Sequence, residues 1–297
     1  MGIVYILLAA VLFGSTPSVE NFVLLSGADP EFVAFAVVAA SGLMALAAGV
    51  IRGDSFRLTR KQLIGMILTG VIGSGITEIC LIRAYTMVPA GVATMVHFFF
   101  PTIVCAVSVL FFHEKLTRYK LAAVLLATGG LYGIADGQTG GSILGVLTAG
   151  ITSFTFAFYY LMSERSSIKD IPPMVMVFYL HFFGAAACAV PLVVKGGMPA
   201  GFGIRSLLLL SVSGLMCFVA YTLLNRGIPK VGAGTAAFIN MLEPITSIML
   251  SVIIYRSRLS VMTAVGCFLI VCALFASAME HSGRTHRGCL FLAYTRK

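Results

Sequence analysis

Ionisable side chains lie inside long apolar runs of this sequence, where each one needs a physical reason to be present. Glu20, Glu78, His97 and Glu243 all have mainly apolar neighbours on both sides. A charged side chain at the centre of a membrane helix costs about 2.5 to 3.5 kcal/mol on insertion scales. Such a residue can take up a proton, hold a cationic group of a solute or pair with a base. These four residues therefore indicate a binding or coupling site.

Other polar residues of the apolar runs join this set. Glu78 and Arg83 are five residues apart, too far round a helix to pair, so each needs a partner on another helix. An ion pair between Glu20 and Arg83 is one hypothesis. The candidates for a substrate cavity or for coupling are Glu20, Glu78, Arg83, Tyr85, His97, Tyr160, His181, Asn240 and Glu243.

The residue patterns of an enzyme or a metal protein are missing from the sequence. There is no Ser-His-Asp set, no HExxH and no GxxxxGK phosphate loop, and the seven cysteines include no CxxC pair. We therefore predict a protein that is not an enzyme, with no catalytic residue, no metal site and no cofactor.

Prolines predict kinks at three places in the apolar runs: Pro17, Pro101 and Pro244. A proline within a helix leaves the carbonyl four residues earlier without its donor. Pro101 does this to His97 and Pro244 does it to Asn240. Either a neighbouring helix satisfies these carbonyls, or the two kinked helices line a central cavity.

The composition is that of a membrane protein, because 59% of the 297 residues are hydrophobic and only 10% are charged. We predict an all-α polytopic protein with ten transmembrane helices, each about 20 residues long. The spans are 3–25, 31–51, 62–84, 90–112, 118–135, 142–163, 172–194, 203–225, 231–254 and 260–279.

Basic residues indicate how these spans are oriented. With the N-terminus in the cytoplasm, fifteen of the twenty Lys and Arg residues fall on the cytoplasmic side. We therefore expect a multi-pass protein of the cell membrane with both termini cytoplasmic. The net charge of +9 is explained by this topology, so no nucleic-acid partner is expected.

Two segments repeat each other with an offset of 143 residues. Arg83, Gly91 and Pro101 correspond to Arg226, Gly234 and Pro244. Two halves of five spans each must enter the membrane from opposite sides, which makes the repeat inverted. Inverted repeats are typical of secondary transporters that hold a solute near the bilayer midplane.

Glu243 breaks this symmetry, because its counterpart in the first half is Phe100. The architecture alone therefore does not require a carboxylate there. Two interpretations remain open: contact with a proton or substrate, or a structural role as an ion pair or helix cap.

The motifs of the two halves resemble the EamA unit of the drug/metabolite transporter superfamily. They are Arg83-Ala84-Tyr85, Val88–Ala93, His97–Pro101 and Glu114–Leu116, with Gly232–Ala237 and Leu242–Ile245 in the second half. The resemblance implies a first repeat at 1–136 and a second at 142–280. The basic tail, 281–297, fits neither repeat and is predicted to be disordered. The acid that the family has after the ninth span is here Ser257.

The resemblance also implies a function. We expect a secondary transporter that exports small organic solutes, such as amino acids or related metabolites, by alternating access. Efflux of lipophilic cations and uptake of metabolites are the alternatives. The expected partners are a small-molecule substrate and the lipid bilayer, with the proton as a candidate coupling ion.

Overall fold

Helices form every regular element in the described part of the chain. The structure is a computed structural model that describes residues 1–135, 142–196, 203–256 and 259–294, with side chains as far as Glu280. The helices are α1 (Gly2–Leu25), α2 (Pro30–Arg52), α3 (Arg60–Leu68), α4 (Thr77–Met87), α5 (Ala90–His97), α6 (Phe100–Leu110), α7 (Arg118–Ala135), α8 (Ile143–Arg165), α9 (Pro173–Val194), α10 (Ile204–Val231), α11 (Ala233–Asn240), α12 (Leu242–Tyr255) and α13 (Val261–Tyr294).

Nine helices of the described residues are long and apolar enough to cross a membrane, where the predicted count was ten. Each of the pairs α3–α4, α5–α6 and α11–α12 counts as one crossing. The helix that is not among the nine is α7, whose first turn carries Arg118 and Lys120. These two charges lower its mean hydropathy. It nevertheless packs against α13, where a Cβ on Gly133 would lie 2.9 Å from Cα of Gly266.

The third span contains a π-helical segment, Thr69–Ile76, between α3 and α4. Its glycines allow close helix contacts: a Cβ on Gly73 would lie 2.8 Å from Cβ of Tyr159, and one on Gly70 would lie 2.6 Å from Cβ of Phe183. A π segment shifts the faces of the residues that follow it. It therefore influences where Glu78, just after it, points.

The fourth and ninth spans are each interrupted next to a proline. α5 ends at His97 and α6 begins at Phe100, one residue before Pro101. In the second half, α11 ends at Asn240 and α12 begins at Leu242, two residues before Pro244. The two breaks occur at positions related by the offset of 143 residues.

The first span is continuous through its proline. Pro17 removes the donor that would reach the carbonyl of Phe13, and the hydroxyl of Thr16 donates to that carbonyl instead at 2.8 Å. A local side chain thus satisfies the backbone group that Pro17 leaves open.

The helix α13 continues to Tyr294, beyond residue 280 at which the sequence predicts disorder to begin. No proline interrupts this stretch, so nothing in the backbone stops the helix. Residues 295–297 and Ser257 lie outside the described residues.

Candidate functional site

A cavity of about 130 Å³ lies inside the bundle, where α1, α4, α5, α8, α10 and α12 meet, with α2 beside them. We call it the central cavity. Five of these helices carry a predicted candidate residue: α1, α4, α5, α8 and α12. Of the nine candidate residues, five line it: Glu20, Glu78, Tyr85, His97 and Glu243. Pro17 is also part of the wall.

Three carboxylates, from α1, α4 and α12, therefore share one small space. Glu20 accepts a hydrogen bond of 2.6 Å from the hydroxyl of Ser213 on α10. Glu243 accepts one of 2.9 Å from the side-chain amide of Asn240. Glu78 lines the cavity with neither a hydrogen bond nor an ion pair to a described side chain. Carboxylates in a low-dielectric space need a compensating positive charge, from protons or from a bound cation.

No lysine or arginine lines the central cavity in the part of the chain that the structure describes. The proposed pair of Glu20 with Arg83 is wrong, because Arg83 lies 3.8 Å from Glu31 and Glu20 binds Ser213. The side chain of Arg83 extends towards the end of the bundle, where it is about half exposed, and not towards Glu20. The cavity is thus acidic, and no lysine or arginine of the described residues is placed to neutralise it.

Aromatic rings form much of the remaining wall. Phe13 and Tyr221 meet edge to face with ring centroids 4.8 Å apart, and Phe156 and Phe98 complete this surface. Sequence reasoning missed these four residues, because phenylalanine and tyrosine in an apolar run look like packing residues. Nothing in the sequence around these rings distinguishes a residue of a cavity wall from a residue of the core.

The two histidines differ in their surroundings. His97 reaches the cavity, and its Nδ1 lies 2.8 Å from the hydroxyl of Thr152 on α8. His181 does not line the central cavity: its Nδ1 lies 2.9 Å from the hydroxyl of Ser41, between α2 and α9. Its ring packs edge to face on Tyr221 at 4.7 Å, so it supports the wall from behind.

Three further candidates lie outside the cavity wall. Asn240 is fully buried and contacts the site only through Glu243. Tyr160 is fully buried behind Phe156, with ring centroids 5.3 Å apart. The third is Arg83, at the end of the bundle. Pro101 and Pro244 act through the breaks beside them, because neither ring lines the cavity.

A larger cavity, of about 430 Å³, adjoins the central cavity and shares Glu20 and Tyr85 with it. We call it the vestibule. Asn21, Thr94 and Ser247 add polar groups to its wall. It lies towards the C-terminal ends of α1 and α4. The central cavity therefore has a neighbouring cavity on the side towards this end of the bundle.

At the opposite end, ion pairs join the two halves of the chain. Glu114, which follows α6, contacts Arg165 at the end of α8 and lies 2.7 Å from Nζ of Lys120. Lys120 also lies 3.8 Å from Glu280 on α13. We call Glu114, Lys120, Arg165 and Glu280 the end cluster. No such cluster was expected from the sequence, because its members are far apart along the chain.

A smaller set of ion pairs lies at the vestibule end. Nζ of Lys195, just after α9, is 2.6 Å from Glu31 and 3.6 Å from Asp29. The hydrogen bond to Glu31 raises the pKa of Lys195 above its usual value. Asp29 also caps α2 by accepting from the backbone N–H of Glu31 at 2.9 Å.

Comparisons with known proteins point to a transporter family. The sequence model of the EamA-like transporter family matches residues 1–135 and 143–279. The chain is 27% identical to a probable biotin transporter of Pseudomonas aeruginosa, over 93% of this chain and 97% of that protein. It is 22% identical to the inner membrane transporter YicL of Salmonella typhimurium, over 95% and 97%.

One solved crystal structure has the same fold. It superposes with a TM-score of 0.79 over 93% of this chain and 98% of the other, at 19% sequence identity. At this identity the likeness concerns the course of the helices and not the residues of the cavity.

Proposed function

Because the chain belongs to the EamA-like transporter family and is a membrane transporter, we propose that it is a secondary transporter of small organic solutes through the central cavity. One observation carries this proposal. Glu20, Glu78 and Glu243 come from three helices to one aromatic-walled cavity that adjoins an open vestibule. Placing a carboxylate in a bilayer costs free energy, so a carboxylate inside a membrane protein usually binds a solute or an ion.

Alternating access between two inverted five-helix repeats is the mechanism we propose. The paired helix breaks beside Pro101 and Pro244 support it, because equivalent interruptions recur after 143 residues. Broken helices near the midplane are typical of transporters in which one repeat moves against the other. In this proposal α7 is the tenth span, held in place by α13.

Export is the direction we propose, from the cytoplasm to the outside. With both termini cytoplasmic, the vestibule opens to the outer side of the cell membrane and the end cluster closes the cytoplasmic side. The distribution of Lys and Arg between the loops supports this orientation. Uptake, the alternative, uses the same two states in the opposite order.

The charge of the cavity supports a choice among the solute classes. Amino acids and related metabolites carry an ammonium group that three carboxylates attract, and organic cations carry a similar charge. A solute whose only charge is negative would be repelled. We therefore propose solutes with a positive group, zwitterions first and lipophilic cations second. The aromatic wall favours the second class through cation–π contacts.

Solute flux into proteoliposomes tests the function. Purified protein would be reconstituted and offered labelled amino acids, small organic cations and an organic anion, with and without an imposed pH gradient. We expect flux of zwitterions or cations above that of protein-free vesicles, and none of the anion. A response to the gradient would establish proton coupling. Flux of the anion alone would contradict the proposed solute class, and no flux of any class would contradict the function.

A further inference from the structure

Directly behind the central cavity, on the side away from the vestibule, three buried polar side chains come from three different helices. They are Tyr160 on α8, Asn225 on α10 and Asn240 on α11. Tyr160 and Asn240 are fully buried, and Asn225 is 6% exposed. We call these three residues the floor layer.

The three residues occupy the same register relative to the cavity. Tyr160 follows the cavity residue Phe156 by four positions, and Asn225 follows Tyr221 by four. Asn240 precedes Glu243 by three. Residues three or four apart on one helix share a face, so Tyr160 and Asn225 each lie one turn beyond a residue of the cavity wall. Asn240 is the last residue of α11, and its side-chain amide donates to Glu243 across the break before α12.

All three floor residues are displaced from the cavity towards the same end of the bundle. α10 runs antiparallel to α1, because Ser213 contacts Glu20 whereas Gly227 contacts Ile6. Asn225 is therefore displaced from the cavity towards the N-terminus of α1, away from the vestibule.

The other two helices agree in direction. α8 runs antiparallel to the third span, since Gly145 lies beside Met87 and Tyr159 beside Gly73. Tyr160 therefore points away from the vestibule end of α4. Glu243, near the start of α12, approaches Gly14 of α1, and Asn240 comes three residues before Glu243. Asn240 therefore lies nearer to the start of α1.

Each floor residue has a polar atom for which the described residues supply no hydrogen-bond partner. These atoms are the hydroxyl of Tyr160, Nδ2 of Asn225 and Oδ1 of Asn240. A buried polar group without a partner costs about 1 to 3 kcal/mol. Apolar side chains of similar shape would avoid this cost. Three unpartnered polar groups at one level of the bundle therefore indicate a binding partner that is present in another state of the protein and excluded from this one.

Aromatic rings separate the floor layer from the cavity. Phe156 stacks on Tyr159 with centroids 5.7 Å apart, and Tyr159 meets Tyr221 at 5.5 Å. The hydroxyl of Tyr159 donates to Oδ1 of Asn225 at 2.8 Å. Beyond the floor layer, α8 ends at Arg165, which belongs to the end cluster.

We propose that the floor layer is the second, closed half of the solute route, which takes up water and the polar groups of the solute when the protein opens away from the vestibule. This rests on the proposed function. The open layer offers a donor at Asn225, an acceptor at Asn240 and a hydroxyl that does either at Tyr160. It therefore suits an occupant with both kinds of hydrogen-bonding group. Opening requires α8 to separate from α10 and α11 and the end cluster to part.

Thiol accessibility tests this in the reconstituted full chain. Asn225→Cys and Asn240→Cys would each be exposed to a membrane-impermeant maleimide, with the label located by peptide mass spectrometry so that the seven native cysteines can stay. The matched controls are Leu224→Cys and Ile239→Cys, which replace fully buried apolar neighbours. Vesicles sorted by orientation would show the side from which the label arrives.

We expect both floor cysteines to react at least five times faster than their neighbours, and from the side opposite the vestibule. Equal rates at polar and apolar positions, in vesicles that carry solute flux, would overturn the inference and leave the proposed function standing. Reaction of the variants, with no flux in vesicles of the wild-type protein, would retain the open layer and contradict the proposed function. Neither reaction nor flux would overturn both.

Tyr160→Phe provides an independent test because it removes only the unpartnered hydroxyl. We expect solute flux to fall at least threefold while the thermal unfolding midpoint stays the same or rises. Loss of an unpartnered group is not destabilising by itself. Unchanged flux, measured together with slow thiol reaction at both asparagine positions, would refute the route.

Discussion

The hydroxyl of Ser213 donates a hydrogen bond of 2.6 Å to the carboxylate of Glu20, and this bond ties α10 to α1 at the wall of the central cavity. Ser213 is fully buried. The bond therefore orients one of three cavity carboxylates from the other half of the chain. A change in the spacing of the two helices would alter this carboxylate.

Ser213→Ala should weaken solute binding because Glu20 loses the group that orients it. A hydrogen bond to a charged group contributes about 1.5 to 3 kcal/mol, so we expect the KM for flux to rise about tenfold. Ser211→Ala is the control, because the exposed Ser211 bonds only to the carbonyl of Leu207 on the same helix. Equal KM values for the two variants would contradict a role for the Ser213 bond.

Removal of charge from the cavity should reduce cation flux. Glu78→Gln and Glu243→Gln keep the shape of each side chain and delete the attraction for a positive group, so we expect cation flux to fall at least tenfold in each. Asp54→Asn removes a charge near Arg52, outside the bundle, and should leave flux unchanged. Wild-type cation flux in both glutamine variants would show that these carboxylates do not bind the solute.

Gly14→Ala should disturb the contact between α1 and α12. A Cβ at Gly14 would overlap the carbonyl oxygen of Glu243 and lie 2.6 Å from Cβ of Thr246. Overpacking of this kind costs about 1 to 3 kcal/mol. We expect a lower thermal unfolding midpoint and reduced flux.

Gly150→Ala is the matched control for this change. No atom lies within 4 Å of a Cβ built at Gly150, and alanine is favoured over glycine within helices by about 1 kcal/mol. We expect an unchanged or higher midpoint. Similar midpoints for the two variants would mean that the close approach of α1 to α12 is not required.

Lys120→Met should destabilise the end cluster. Lys120 is 9% exposed and contacts Glu114 and Glu280, so its loss leaves two carboxylates without their shared cation. Breaking a buried ion pair by removing one partner costs about 3 to 5 kcal/mol. The control is Lys169→Met, on the short turn Ser167–Asp170. A thermal midpoint equal to that of the control would show that the cluster adds no stability.

Lys195→Met tests the ion pairs at the vestibule end through their pH dependence. The pKa of Lys195 is raised above 10.5 by its hydrogen bond to Glu31, so its contribution is complete below that pH. It is lost only as the pH rises through the raised value. The difference in unfolding midpoint between wild type and variant should therefore be constant from about pH 6 to 9 and shrink at higher pH. A difference that changes near neutrality would point to another group.

Sequence alone determined the membrane class, the repeat and most of the chemistry of the site. The charge of a glutamate and the cost of placing it in a bilayer depend only on residue type and apolar context. Glu20, Glu78 and Glu243 could therefore be recognised one at a time, and so could the prolines beside which the fourth and ninth spans break.

Tertiary structure decided which of these residues meet. Arg83 and Glu20 both looked in need of a partner, yet the packing of α2 and α10 supplied Glu31 and Ser213 instead. No sequence spacing encodes such a choice, because contacts between helices depend on how the helices rotate and cross. The π segment before Glu78 and the floor layer belong to the same class of fact. The π segment contains glycines such as Gly73 that allow close helix contacts, and a sequence shows these only as small residues.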